Sequence, residues 1–329
     1  MKRQCAALAL TLCVALGGCT PREPAEPPEK DLIVVGISQV GAESDWRVAN
    51  SESMKAAFTE EKGYRLLFED ARQKQENQIS AIRKFIQQQV DYIVLMPLCE
   101  TGWDSVLQEA KEAGIPVILV DRMADVENDS LYAAHVGSDF RREGERAMEW
   151  LADNAAQRGL DSLNIIHIQG TLGSTAQLCR TAALEAAAAQ RPDWNLLVQL
   201  DGDFTQAKTY QVMREYLSAQ SGTLSIDVVY CENDNEAFGA IQALEEAGYA
   251  CGEDGVTIIC FDATRNALTY CLEGKIALVM ECNPLLGPLA EQDIRALEAG
   301  ETPEKQHYIE EQYFTKENLT EDLIAARQY

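Results

Sequence analysis

The sequence predicts an α/β protein made of two similar lobes, and three observations support this prediction. The length of 329 residues suits two domains of ordinary size. From Leu32 onward, short apolar runs alternate with longer helical patterns, which is the order typical of parallel βαβ units. The apolar runs fall into two sets of five, so two sheets are favoured over one large sheet.

The candidate strands are near-continuous runs of valine, isoleucine and leucine, as expected for strands that are covered on both faces. The first set spans 32–38, 65–70, 92–97, 116–121 and 131–136, and the second spans 163–169, 195–200, 227–231, 257–262 and 276–281. The candidate helices between them span 48–62, 75–89, 103–113, 141–154, 176–190, 206–218 and 236–247. Gly114 and Gly248 follow two of these helices, where glycine is the usual stop.

The N-terminal segment is predicted to be a targeting signal rather than part of the fold. Two basic residues precede an apolar run at 5–16, which is too short to cross a bilayer as a helix and makes 1–18 typical of a secretory signal peptide. Residues 16–19, Leu-Gly-Gly-Cys, resemble a bacterial lipobox, which implies cleavage after residue 18 and a diacylglycerol on Cys19. The proline- and glutamate-rich segment 19–31 is then a tether. The alternative is a signal without lipid, in which Cys19 is incidental.

The composition excludes several classes of function. Lys and Arg number 28 against 53 Asp and Glu, and the net charge of −25 repels phosphate backbones, which excludes nucleic acid as a partner. The 3 histidines are far apart in the sequence, so neither a histidine metal site nor a catalytic triad is expected. The 10 cysteines form no C-x-x-C pair, and most lie in apolar runs where a thiol packs as a small hydrophobe. We therefore expect no metal, no cofactor and no disulfide framework.

Polar residues follow strand after strand at the point where each strand ends. In open parallel sheets, ligands bind outside the carboxyl ends of the strands, so two facing lobes would enclose a polar cleft. Carboxylates that accept from hydroxyls, together with aromatic rings at Trp46, Trp103 and Phe204, suit a polyhydroxylated ligand. The alternative for any single residue is a helix N-cap. The polar residues are Ser38, Gln39, Asp70, Asp121, Arg122, Gln169, Asp203, Asn233, Asp234, Asp262 and Glu281.

Several runs resemble those of periplasmic sugar-binding proteins of ABC importers. The more specific runs are GISQVGAESDWR at 36–47 and QKQENQ at 73–78, which are similar to the galactofuranose-binding branch and, more distantly, to the ribose-binding branch. Shorter matches lie at 101–103, 120–122, 169–171, 202–205, 233–234, 239–243, 261–262 and 283–284. The resemblance covers residues 32 to about 299, nearly the whole chain after the tether.

This resemblance implies the type I periplasmic binding protein fold, in which two Rossmann-like lobes with parallel sheets are joined by a three-segment hinge. The N-terminal lobe would comprise 32–136 plus 282–310, and the C-terminal lobe 137–281 plus 311–329. The implied function is not enzymatic. A monomeric, extracytoplasmic receptor would bind a monosaccharide, galactofuranose-like or another hexose or pentose, between its lobes and deliver it to the permease subunits of an ABC importer.

Sugar contacts are carried over from the family motifs, position by position. Most follow the carboxyl end of a strand, but Arg180 lies inside a candidate helix, which has no glycine near its packing face at Ala183 and Leu184. Arg47 is the candidate for preferring a furanose with an exocyclic chain, because its long guanidinium can reach hydroxyls beyond a five-membered ring. The implied contacts are Trp46, Arg47, Asp121, Arg122, Arg180, Phe204, Asn233, Asp262 and Glu281, with Gln39, Glu43, Ser44, Gln73 and Thr101 as neighbours.

Three other functions compete with this one. The same lobes could present a sugar to a chemoreceptor or a membrane kinase as a sensor. A sugar-responsive repressor shares the lobes, but it needs a helix-turn-helix where this chain has a signal peptide. An enzyme of polyol chemistry needs a metal or a nucleophile with its base, and the sequence contains no such constellation.

Overall fold

The computed structural model describes residues 32–220, 224–252 and 255–329. The predicted signal peptide, Cys19 and the tether lie outside these residues. Within the described ranges, no helix combines the length and the apolar character that a membrane span requires.

The first sheet contains six strands in the order β11-β5-β4-β3-β1-β2, and all of its neighbouring strands are parallel. Its central strands are buried on both faces, whereas the edge strand β2 is partly exposed. This difference explains why the central runs of the sequence read as continuously apolar. The strands are β1 (Ile33–Gln39), β2 (Tyr64–Asp70), β3 (Tyr92–Leu95), β4 (Val117–Val120), β5 (Ala134–Gly137) and β11 (Gln306–Tyr308).

The second sheet repeats this arrangement with six strands in the order β12-β10-β9-β8-β6-β7. Its strands are parallel except for the short edge strand β12, which pairs antiparallel with β10. The strands are β6 (Leu163–Gln169), β7 (Trp194–Asp201), β8 (Val228–Cys231), β9 (Thr257–Asp262), β10 (Leu278–Glu281) and β12 (Tyr313–Phe314).

Helices cover both faces of each sheet, and each face has its own apolar cluster. Four helices, α1, α2, α3 and α9, pack on the first sheet, and the remaining six pack on the second. The helices are α1 (Asp45–Ala57), α2 (Gln75–Gln87), α3 (Asp104–Glu112), α4 (Phe140–Gln157), α5 (Thr175–Ala189), α6 (Gln206–Ala219), α7 (Asp234–Glu246), α8 (Arg265–Leu272), α9 (Gly287–Glu298) and α10 (Glu321–Ala326).

The chain passes between the two sheets at three places, which we call the crossings. They are 138–139 between β5 and α4, 282–286 between β10 and α9, and 309–312 between β11 and β12. Because the crossings return the chain to the first sheet after most of the second is complete, the lobes share three covalent connections. The predicted fold class, two parallel-sheet α/β lobes with a three-segment hinge, is confirmed.

The predicted elements differ from the structure mainly at their ends. Helix α1 begins at Asp45 rather than 48, because the side chain of Ser44 accepts from the backbone N–H of Arg47 and caps the helix there. Residues 131–133 are not part of β5, and a 3-10 turn occupies 129–131 instead. Five elements were not predicted from the sequence: the helices α8, α9 and α10 and the short strands β11 and β12.

Candidate functional site

A small cavity lies between the lobes, at the carboxyl ends of the strands of both sheets. The first lobe contributes the start of α1 and the residues after β4, and the second lobe contributes the residues after β8 and β9 and the helix α5. The cavity is lined by Glu43, Ser44, Trp46, Arg47, Asp121, Arg122, Phe140, Ala176, Arg180, Phe204, Asn233, Asp262 and Cys282.

Arg47 is held on two sides by carboxylates of the first lobe. Its Nε donates to Glu43 Oε1 at 2.9 Å, and its Nη2 donates to Asp121 Oδ2 at 2.6 Å. The side chains of all three residues are nearly solvent-free. Burial by itself disfavours the charged guanidinium, but the two carboxylates outweigh this effect and raise the pKa of Arg47. Arg47 therefore stays charged and is fixed in place.

Arg122 shares the same two carboxylates at longer range. Its Nη2 lies 3.4 Å from Glu43 Oε1, and its Nε lies 3.8 Å from Asp121 Oδ2. Its Nη1 donates to the carbonyl of Leu98 at 3.1 Å. Burial, and then the charge of Arg47, lower the pKa of Arg122. The four side chains form one buried network of two cations and two anions on the first-lobe wall.

Arg180 projects from α5 into the second-lobe wall, where Glu143 of α4 holds it. Its Nε and Nη2 both donate to Glu143 Oε2, at 3.0 and 2.7 Å, and its Nη1 donates to the carbonyl of Glu232. The guanidinium also lies 4.4 Å from the ring centroid of Phe261. The side chain of Arg180 is only 2% exposed, although the residue lies within a helix.

Close packing of α4 against α5 explains how Arg180 reaches this position. A Cβ at Gly144 would lie 2.7 Å from the Cβ of Ala183 and 3.5 Å from the Cα of Arg180. The glycine that permits close packing at Ala183 of α5 is therefore on the partner helix, at Gly144. It lets the two helices approach and places Glu143, its neighbour, against Arg180.

Phe204 and Asn233 form the part of the wall between α6 and α7. The side chain of Asn233 caps α7 in a capping box with Glu236, and its Nδ2 donates to the carbonyl of Phe204 at 3.1 Å. Phe204 has a left-handed backbone with φ of 58°. Its ring packs over Gly170, where a Cβ would lie 2.0 Å from the ring. Asn233 can therefore both cap α7 and line the cavity, because its amide oxygen makes the cap while its Nδ2 lies on the side of Phe204.

Asp262 ends β9 and is 5% exposed. Burial, followed by the nearby carboxylate of Asp234, raises the pKa of Asp262 well above its ordinary range. Its backbone φ of 105° and the φ of 66° at Asp121 are both left-handed values that cost conformational energy for a residue with a side chain. Such strain is typical of binding sites whose side chains must point in one direction.

Aromatic rings complete the wall. Trp46 donates from Nε1 to the carbonyl of Cys282 in the second crossing at 2.6 Å, which ties the first lobe to the hinge. Phe140, which begins α4, and Phe204 lie in the second lobe, with Arg180 5.3 Å from the first ring and Arg122 5.3 Å from the second. These rings provide apolar faces for the C–H groups of a ligand.

The charges of the wall are balanced within the protein. The cations Arg47 and Arg122 face the anions Glu43 and Asp121, and Arg180 is paired with Glu143. Among the described residues, Glu43 Oε2 and Arg47 Nη1 are buried without a hydrogen-bond partner. Because the cations already have anionic partners, the wall suits a neutral polar ligand better than an anion.

Ten of the fourteen predicted contacts line this cavity, and four are placed elsewhere. Gln39 is buried and donates to Asn50, and Glu281 accepts from Arg327 and the backbone of Gln312. Gln73 and Thr101 are exposed in turns beside α2, where the carbonyl of Thr101 accepts from Gln75. Trp103 packs in the first-lobe core and donates to the carbonyl of Cys99.

Three lining residues were missed by the sequence analysis: Phe140, Ala176 and Cys282. Phe140 and Ala176 lie in the first turns of α4 and α5. Cys282 directly follows β10, so the rule that found the other wall residues, a position just after a strand, applies to it. It was passed over because a cysteine beside an apolar run reads as core.

The fold and the cavity define a two-lobed solute-binding protein. Residues 35–301 match the family described as "Periplasmic binding protein domain". The galactofuranose-binding protein YtfQ of Escherichia coli (strain K12) is 35% identical over 292 residues, which are 88% of this chain and 90% of that protein. Ribose import binding proteins are more distant.

Two solved structures with furanose sugars are also similar. The periplasmic component of the arabinose ABC transporter from Shewanella sp. ANA-3, bound to α- and β-L-arabinofuranose, is 40% identical, with a TM-score of 0.80 over 86% of this chain and 92% of that one. A protein from Mycobacterium smegmatis in complex with β-D-fucofuranose is 41% identical, with a TM-score of 0.81 over 87% and 92%.

This chain belongs to the periplasmic binding protein family. The predicted family, and its likeness to the galactofuranose-binding branch, are confirmed. The chain is accordingly an extracytoplasmic solute-binding protein and not an enzyme.

Proposed function

We propose that this protein binds a neutral monosaccharide in its furanose form between the two lobes and delivers it to an ABC importer. The observation that carries the proposal is the charge-balanced cavity with aromatic faces, in which Glu43 Oε2 and Arg47 Nη1 have no hydrogen-bond partner in the described part of the chain. Sugar hydroxyls can donate to the first atom and accept from the second. The furanose form is supported by relatives that bind galactofuranose, arabinofuranose or fucofuranose.

A calorimetric titration of the purified protein tests this proposal. The probes are L-arabinose, D-galactose and D-fucose, with D-glucose 6-phosphate as an anionic control. We expect saturable binding of at least one neutral sugar and none of the phosphate. With the sugar at 100 times its dissociation constant, the free energy of unfolding should rise by about 2.7 kcal/mol. Binding of the phosphate alone would contradict the proposal.

The ring form is tested separately by NMR. L-arabinose labelled with carbon-13 at its anomeric carbon gives different shifts for furanose and pyranose rings. We expect the bound signal to be that of a furanose, although the pyranose dominates in free solution. A bound pyranose signal would leave the sugar-binding function standing and overturn the furanose preference.

The binding mechanism we propose is closure of the two lobes, 32–136 plus 282–310 and 137–281 plus 311–329, around the sugar. The contacts come from both lobes, so they form together only in the closed arrangement, and their free energy shifts the population toward it. Asp121, Arg122 and Asp262 are proposed to bond hydroxyls, with Trp46 and Phe204 against the ring. The protein acts as a monomer that presents the closed lobes to permease subunits.

We further propose that Cys19 carries a lipid that holds the protein at the membrane. The support is the lipobox-like sequence and the proline-rich tether that follows it. A Cys19→Ala variant, expressed in a bacterium that processes lipoproteins, should move from the membrane fraction to the soluble fraction. Cys99→Ala is the matched control and should stay with the membrane. If Cys19→Ala partitions like the wild type, the lipid anchor is excluded.

A further inference from the structure

A cluster of acidic and thiol side chains lies behind the cavity, at the crossings. One side-chain atom from each of Glu143, Cys282 and Glu311 lies within 4.8 Å of the other two. Glu143 is on α4, whereas Cys282 and Glu311 are on the second and third crossings. None of the proposed sugar contacts explains why the buried Glu143 and the partly buried Glu311 lie side by side here.

Glu311 joins all three crossings through one oxygen. Its Oε1 accepts from the hydroxyl of Ser138 in the first crossing at 2.7 Å and from the backbone N–H of Asn283 in the second at 2.6 Å. Glu311 itself belongs to the third crossing. Because lobe closure rotates the backbone of the crossings, a side chain bonded to two of them responds to the positions of the lobes.

Glu143 connects this cluster to the cavity. Its Oε2 accepts twice from Arg180, which lines the cavity, while its Oε1 is buried without a partner among the described residues when both acids are ionised. One carboxyl oxygen of Glu311 lies within 4.8 Å of one of Glu143, so the two side chains can share a hydrogen bond if one of them is protonated. One proton on Glu311 would complete the arrangement, since Glu311 would then donate to Glu143 Oε1.

We infer that Glu311 and Glu143 share one proton, with Glu311 as donor, and that this pair positions Arg180 and couples its position to the crossings. A metal cation is a poorer occupant, because the guanidinium of Arg180 already lies against Glu143. Glu311 and Glu143 are positioning residues, since they reach the ligand only through Arg180. The effect on sugar affinity rests on the proposed function, whereas the shared proton does not.

The surroundings of the pair favour the protonated form. Burial and the charge of Glu143 raise the pKa of Glu311 to about 9, and burial also raises the pKa of Glu143 despite the opposing effect of Arg180. The thiol of Cys282, which faces both acids, has its pKa raised well above the ordinary value and stays neutral. The charged and titratable groups around the pair are Arg180 from α5, Arg146 from α4, Cys282 from the second crossing, and Asp121 and Asp262 from the ends of β4 and β9.

The first experiment tests for the shared proton through the pH dependence of unfolding, in the absence of sugar. Glu311 keeps its proton in the folded chain up to about pH 9, whereas the unfolded chain releases it above the ordinary pKa of 4.5. The contribution of this proton to the free energy of unfolding is therefore complete below pH 4.5 and is lost as the pH rises to about 9. Between about pH 5 and pH 8, the free energy of unfolding measured with urea should therefore fall more steeply with pH in the wild type than in Glu311→Gln. The difference between the two slopes should correspond to about one proton. Glu310→Gln, an exposed neighbour, is the matched control and should keep the wild-type slope. Equal slopes in the wild type and Glu311→Gln would overturn the shared proton.

The second experiment measures affinity for L-arabinose between about pH 7 and pH 10 by calorimetry. The wild type and Glu310→Gln should lose affinity above about pH 9, approaching about tenfold per pH unit. Glu311→Gln should bind with little pH dependence, because its amide donates to Glu143 at every pH. A flat wild-type profile would overturn the coupling to Arg180. If no sugar binds any variant, the proposed function fails while the unfolding slopes still report the proton.

A third measurement keeps the inference testable should Glu311→Gln fail to fold. In the wild type labelled with carbon-13 at glutamate carboxyl carbons, one folded-state signal should titrate near pH 9. Glu311→Asp, which keeps an acid at this position but carries no glutamate label, should remove that signal. The absence of any glutamate signal that titrates near pH 9 would overturn the inference.

Discussion

Arg47 combines a fixed position with one donor left over, and this makes it the residue most able to select a ligand. Glu43 and Asp121 occupy its Nε and Nη2, while Nη1 is buried without a partner among the described residues. A buried donor in that state loses free energy unless a ligand completes its hydrogen bond. We therefore expect ligand discrimination at this site to depend on a hydroxyl that reaches Nη1.

The first prediction concerns Asp121→Asn. Asparagine keeps the shape and tolerates the left-handed backbone, with its φ of 66°, but it removes the charge that holds Arg47. Hydrogen bonds to charged groups are worth about 1.5–3 kcal/mol, so we expect sugar affinity to fall roughly 10- to 150-fold by calorimetry. Asp125→Asn, at an exposed position nearby, is the control and should bind like the wild type. Wild-type affinity in Asp121→Asn would show that this carboxylate does not contribute to binding.

The second prediction concerns Arg47→Lys. A lysine keeps the charge, but a single ammonium cannot reproduce the fork that contacts Glu43 and Asp121 and still leaves a donor for the ligand. We expect weaker binding together with a larger pyranose fraction in the NMR signal of bound, labelled L-arabinose. Lys55→Arg, on the exposed part of the same helix, provides the comparison. An unchanged ring preference would assign the selection to other wall residues.

At the scale of elements, the approach of α4 to α5 controls the second-lobe wall. A methyl group at Gly144 would meet the Cβ of Ala183 at 2.7 Å, so Gly144→Ala must push the helices apart and move Arg180 away from Glu143. We expect a loss of about 1–3 kcal/mol in urea unfolding and a weaker affinity for the sugar. Glu149→Ala, on the exposed side of α4, should leave both quantities close to wild type. If Gly144→Ala is neutral in both assays, the helices do not need this close approach.

The sequence predicted the elements whose pattern is local. The central strands were found because their burial on both faces makes them continuously apolar, and seven helices were found from their periodicity. Helix α9 was missed because it begins at Gly287-Pro288, a pair that reads as a loop although proline is favoured in a first helical turn. Strands β11 and β12 contain three and two residues, too few for any periodicity.

Prediction of the residues that line the cavity was likewise limited to those with a local sequence pattern. Residues just after strands were predictable from position alone, as with Asp121 and Asp262. Arg180 was not, because its direction depends on Gly144 of another helix, and it was found only through the resemblance to a family. The paired acids Glu143 and Glu311 are 168 positions apart in the sequence and meet only because the crossings converge.

For the whole molecule, we predict that sugar binding makes the protein more compact. Small-angle X-ray scattering should give a smaller radius of gyration when L-arabinose is present at saturation. Asp121→Asn at the same sugar concentration is the control and should show a smaller change, in proportion to its lower occupancy. An unchanged profile at proven saturation would contradict lobe closure.

The acidic surface leads to a prediction about salt. With a net charge of −25, repulsion between surface carboxylates opposes the compact state, and added salt screens it. The melting temperature should therefore rise as sodium chloride increases from about 20 mM to about 500 mM. Choline chloride should act in the same way, since screening depends on ionic strength rather than on a particular cation. A melting temperature that falls with either salt would contradict this account.

The late return of the chain to its first sheet also bears on how the molecule is made. Synthesis releases residues in order, so strands β1 to β5 exist long before α9 covers them and β11 pairs with β5. Contacts between segments so distant in the sequence form slowly, because a large loop must close first. We therefore expect the first lobe to remain incomplete until almost the entire chain has been synthesised. For a protein that leaves the cytoplasm, we expect this delay to keep the nascent chain unfolded for export, so that the three crossings proposed as the hinge also postpone folding.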